Sequence, residues 1–122
     1  MGNIIFEHQY TIEGYVTFAV HVKSGKFSGM SNFCIAESVL KDAILYLSEM
    51  YDSLKGMYRM NDYDSDDFML FEFLNHGRMR ISGQIGGSHS KQYLKYQFVT
   101  DQTVLGIIVS DFKRLRVLQS YE

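Results

Sequence analysis

The chain has no proline and no tryptophan, and only one cysteine, Cys34, in 122 residues. Average usage would place roughly six prolines in a chain of this length, so a proline-rich linker or a proline-kinked helix is excluded and one compact unit is favoured. A lone cysteine cannot build an internal disulfide framework, which points to a reducing compartment, the cytoplasm by default. No stretch approaches the roughly 20 apolar residues of a membrane span. The first residues, Met1 to Glu7, lack the basic start and apolar run of a signal peptide, and Phe6 stands where a myristoylation motif wants Ser or Thr. Basic residues are not in excess either. Twelve Lys and Arg against fourteen Asp and Glu give a net charge of -2, which weighs against nucleic acid or an anionic membrane as the main partner and leaves a basic protein partner open.

What is present is an ordinary globular composition, 46% hydrophobic and 21% charged, rich in Tyr and Phe, at a length that suits one core. A single domain over residues 1–122 is expected. Thr11 to Val22 alternates, with Val16, Phe18, Val20 and Val22 on one side, and predicts a strand buried on one face; Ile4 to Tyr10 predicts a shorter strand before it. Ser24-Gly25 and Ser28-Gly29 mark a loop around Phe27. From Ala36 to Leu54 the apolar residues recur at three and four, which is an amphipathic helix with Ser31 or Asn32 as candidate cap and Gly56 just past its end.

Asn61 to Asp67 is polar and predicts a solvated loop. Phe68 to Asn75 and Arg78 to Ile85 then read as hairpin strands about a His76-Gly77 turn, followed by a strand from Tyr93 to Val99. The last helix runs from Gln102 to Leu118, with Leu105, Ile108, Phe112, Leu115 and Leu118 inward and Asp101 as its cap. The order ββαβββα implies an α+β, two-layer sandwich: an antiparallel sheet of about five strands with two helices on one face.

The candidate chemistry is sparse. Asp62, Asp64 and Asp66 open like a calcium loop, but Asp67 stands where glycine must turn and Phe73 where the bidentate glutamate belongs, so no metal is expected. As a solvated acidic loop, flanked by Tyr58 and Tyr63, it is suited to a basic partner surface. His8, His21, His76 and His89 show no ligand spacing. Ser88-His89-Ser90 has no nucleophile elbow around it. Gly83, Gly86 and Gly87 are not followed by a phosphate-loop Lys and fit a bulge and a turn. Cys34 reads as a small buried hydrophobe, and Met69, Phe71 and Phe73 as core. Arg78, Arg80, Gln84, Lys95 and Gln97 fall on the wet face of the sheet, either an ordinary solvated surface or a docking surface. No catalytic set is visible and no cofactor is implied.

Phe27-Ser28-Gly29 before the first helix, Gly56 after it, Gly77 and Gly83 in the hairpin, and Phe98 followed by Asp101-Gln102-Thr103-Val104-Leu105 together resemble the WapI-like immunity proteins. The likeness spans roughly Phe27 to Leu118. Its members are small cytoplasmic proteins that neutralise the toxin domains of polymorphic or contact-dependent bacterial toxins. The resemblance implies stoichiometric binding of a cognate toxin domain, without turnover. If that toxin is a nuclease, the acidic loop is a candidate mimic of phosphate. The expected partner-binding set is Asp62, Tyr63, Asp64, Asp66, Asp67, Arg78 and Arg80. The competing reading is a small cytoplasmic enzyme or ligand-binding domain whose pocket assembles only in the fold.

Overall fold

The computed structural model describes residues 2–119. Seven strands and two helices follow in the order β1 (Gly2–Ile12), β2 (Tyr15–Ser24), β3 (Phe27–Ala36), α1 (Glu37–Ser53), β4 (Met57–Asn61), β5 (Phe68–Phe73), β6 (Arg78–Ile85), β7 (Leu94–Asp101) and α2 (Gln102–Gln119). The fold is α+β, as the sequence indicates. The strands form two antiparallel meanders, β1-β2-β3 and β4-β5-β6-β7, where the patterning suggested one sheet of about five strands.

Three local features explain the difference. Glu13 and Gly14 both take positive φ (50° and 82°) between the paired residues Ile12 and Tyr15. This two-residue hairpin turn matches the strand twist, so Thr11 and Ile12 end β1 and do not begin β2. The segment around Phe27 is strand and not loop: Ser24 pairs with Phe27 and the register runs without a break to Tyr15 opposite Ala36. Its Ser, Gly and Asn content hides it from propensity, and pairing with the apolar β2 overrides that weakness. Ser31 and Asn32 therefore lie within β3; α1 starts at Ala36 with no side-chain cap, and the Glu37 N–H donates to the Gly14 carbonyl at 2.8 Å. The third is β4, five residues whose alternation is too short to stand out and which is held by its register with β5.

The remaining elements follow their patterns. α1 ends on Leu54 in the left-handed region, and Gly56 also has positive φ. Asp101 accepts from the Thr103 N–H at 2.9 Å and so caps α2. Leu105, Ile108, Phe112 and Leu115 of α2 are buried, while the side chain of Leu118 lies outside the described residues. Both sheets and both helices contribute to one hydrophobic cluster. Phe112 is central to it, with its ring 4.9 Å from Phe6 and 6.4 Å from Phe18. The inward rows of the larger sheet, such as Phe71-Ile81-Phe98, close the other side.

Gly83 makes no bulge, since β6 and β7 pair without a register shift. A Cβ there would overlap the Phe68 carbonyl oxygen, and Tyr96 packs its ring end where that Cβ would be. Glycine is required at this position for close approach and not for conformation. Among the described residues no helix is long and apolar enough to cross a membrane.

Candidate functional site

The acidic segment between β4 and β5 is a bridge and not a free loop. Asp62 is 9% exposed; its carboxylate accepts from the Cys34 N–H at 2.8 Å and from the Ser65 hydroxyl at 2.6 Å. The Tyr63 N–H in turn donates to the Cys34 carbonyl at 2.8 Å. Cys34 lies on β3, the edge strand of the smaller sheet, so residues 62 and 63 satisfy backbone groups that β2 cannot reach.

The other end of the loop holds the larger sheet. Asp67 accepts from the Gln84 side-chain amide at 3.0 Å and from the Gly87 N–H at 2.8 Å. Asp66 accepts from the same amide at 3.1 Å and from the Ser88 N–H at 3.0 Å, and also from the Ser88 hydroxyl. Those Ser88 donors hold the Asp66 carboxyl at a pKa of about 2 despite its exposure. The loop closes on itself where the Asp62 N–H donates to the Asp67 carbonyl at 2.9 Å and the Asp67 N–H to the Ser65 hydroxyl at 3.0 Å.

The expected solvated loop is thus corrected at two positions: Asp62 and Asp67 are buried, and their carboxylates are engaged within the chain. What the loop presents outward is its tip. Tyr63 is 68% exposed, and its ring lies 4.8 Å from that of Tyr15, the first residue of β2. Asp64 is exposed next to it. The Tyr63 hydroxyl beside Tyr15 raises the Tyr15 pKa, chiefly by a hydrogen bond between the two phenols. Among the described residues no three His, Cys, Asp or Glu side chains gather as metal ligands.

Arg78 and Arg80 occupy the outer face of the larger sheet, as alternation predicts. Arg80 lies 3.3 Å from Glu72, and its Nε is buried without an acceptor. Gln84 shares that face but is buried under the loop, so the expectation of a wet Gln84 fails. From Gln84 to Arg78 the strand advances six residues, about 20 Å. The acidic tip and the arginines therefore stand at opposite ends of β6 and do not form one cluster.

Sequence reasoning missed Tyr15 as the partner of Tyr63. The Glu13-Gly14 turn signal was present and would have placed Tyr15 at a strand start. Cys34 is only half-buried, opposite Thr17 on the outer face of the smaller sheet, and burial raises its thiol pKa. That weakens the case for a nucleophile. His8 bonds Thr11 at 2.9 Å, and His21 lies 3.5 Å from Glu7, both at strand surfaces.

No family model matches the chain, and neither does any curated protein or solved structure. Geometry and sequence pattern alone therefore carry the functional reading.

Proposed function

We propose that this chain is a stoichiometric protein-binding module of the immunity type, which neutralises a cognate bacterial toxin domain, such as a nuclease, in the cytoplasm. The observation that carries the reading is the built loop of residues 62–67. Three of its four aspartates hold the loop to two sheets, and the tip, Tyr63 with Asp64, is left outward on a fixed base. A tip ordered before binding loses little entropy on docking, and tyrosine is among the residues that most often carry binding energy at protein interfaces. The sequence resemblance described above names the class of partner that such a surface would meet.

The direct contacts then fall to Tyr63 and Asp64, while Asp62, Asp66 and Asp67 act by holding the loop. Arg78 and Arg80 join the contact surface only if the partner spans the length of β6. The test is calorimetric titration of the purified chain with the toxin domain encoded beside its gene. One-to-one binding that abolishes toxin activity is expected, with Tyr63→Ala or Asp64→Lys weakening it at unchanged fold stability. A neighbouring toxin that neither binds nor loses activity would refute the proposal.

A further inference from the structure

An antiparallel sheet packed on one face ordinarily turns polar side chains to water on the other. The outer face of the β4-β5-β6-β7 sheet mostly obeys, carrying Arg59, Ser82, Lys95 and Gln97 beside two exposed apolar side chains, Met57 and Val99. The outer face of the β1-β2-β3 sheet does not. Ile5 and Met30 are exposed toward one end of it, and Tyr10, Ile12 and Tyr15 toward the other. The register shift between His8 and Tyr10 is what brings Tyr10 onto the same face as Ile5. Between the two groups the middle of β2 is already buried within the chain, with Thr17 7% and Ala19 1% exposed, so the exposed apolar side chains lie toward the two ends of the face.

The two ends differ in shape and in charge. Beside Ile5 and Met30 lies an open depression of about 390 Å³, lined also by Asn3, His21, Lys23 and Ser28. At the other end Tyr10 is exposed, and Tyr15, less exposed, packs against the Tyr63 ring. Lys23 and Lys26 belong to the depression end, and Glu13 and Asp64 to the tyrosine end. A two-fold axis crossing the strands at Ala19 exchanges the ends. It sets Tyr10 of one copy over the depression of the other and Tyr15 over Lys23, and it repeats both contacts by symmetry. Glu7 shares the middle row but sits on the edge strand beside His21, at the rim.

We infer that a second copy of this chain covers the outer face of the β1-β2-β3 sheet in a two-fold, sheet-on-sheet dimer. Across this axis the lysines at the depression end meet the acidic residues at the tyrosine end, and Glu7, on the middle row, meets its own copy at the rim, where His21 lies 3.5 Å from it. The inference holds whether or not the chain neutralises a toxin; because the Tyr63 ring lies on Tyr15, the tip forms part of the dimer surface, and a toxin would compete with the second copy for it.

Sedimentation velocity of the full chain, from micromolar to millimolar concentration, tests it. A reversible monomer–dimer equilibrium is expected. Ile5→Glu and Met30→Glu change exposed side chains, and each should weaken the dimer by about tenfold or more while circular dichroism stays the same. Val99→Glu, the same kind of change on the outer face of the other sheet, should leave the dimer as it was. Lys23→Glu should weaken it, and adding Glu13→Lys to that variant should restore it. A chain that remains monomeric throughout overturns the inference and leaves the face to another protein. So does a dimer indifferent to Ile5→Glu and Met30→Glu, or one abolished by Val99→Glu.

Discussion

The Gln84 side-chain amide donates to the Asp67 carboxylate at 3.0 Å, and both residues are only 3% exposed. A buried carboxylate is tolerated because donors surround it, here Gln84 and the Gly87 N–H, and the cost of removing it falls on those donors. The pair joins the loop of residues 62–67 to β6, which is how a polar, charge-rich segment becomes part of the structure.

Asp67→Ala should therefore lower folding stability by about 2–3 kcal/mol, measured by urea denaturation, since it leaves a buried amide and a backbone N–H short of acceptors. Asp64→Ala, an exposed change three residues away, should stay within about 0.5 kcal/mol. Equal effects would mean that the loop is not held as described.

Acid should loosen the same loop. The Asp66 pKa is lowered from 3.8 to about 2, first by the Ser88 hydroxyl and then by the Ser88 N–H. A carboxyl depressed in the folded state stabilises it fully above its unfolded value, and that contribution is lost as pH falls through the folded one. Urea midpoints should thus decline between about pH 4 and about pH 2, and Asp66→Asn should flatten part of the decline. Asp101, lowered chiefly by the Thr103 hydroxyl, acts with the same sign, so some slope should persist in the variant.

Tyr96→Phe is expected to stabilise the protein by about 1 kcal/mol. The Tyr96 hydroxyl is buried without a hydrogen-bond partner, and burial, with Asp67 nearby, raises its pKa strongly. Deleting the oxygen removes a desolvation penalty and leaves the ring packing in place. A clear loss of stability would show that the hydroxyl has a partner after all. Gly83→Ala, against the same ring end and the Phe68 carbonyl, should cost about 1–3 kcal/mol by overpacking.

Phe112→Ala should be the most damaging of these changes, at about 3–5 kcal/mol. Its fully buried ring touches Phe6 and Phe18 and so couples α2 to the smaller sheet. Thermal or chemical unfolding of the variant measures it directly.

Much of this architecture was readable from residue order because single elements carried strong periodicity. β6 begins at Arg78 and ends at Ile85 as its alternation predicts, and α2 opens at Gln102 behind the Asp101 cap. β3 escaped because FSGMSN has little strand preference of its own, and only its neighbour β2 makes a strand of it. Composition marks the acidic loop but not the burial of its two ends. Carboxylates at 62 and 67 look solvated in a sequence, since the donors that bury them come from Cys34, Gln84 and Gly87, all distant along the chain. Tyr63 and Asp64, both exposed, are where the expectation of an outward loop holds. The outer face of the smaller sheet was illegible for a different reason. Its exposed set depends on a one-residue register shift near Gln9, and no pattern in the sequence marks that shift.

The loop of residues 62–67 also adds a polar tie between two meanders that share one core. The amide of Cys34 and the amide of Gly87 are both bonded to carboxylates of that one short segment. Their solvent exchange should follow a shared opening event, so that loosening either sheet margin frees the other. Breathing at one border is then felt across the molecule.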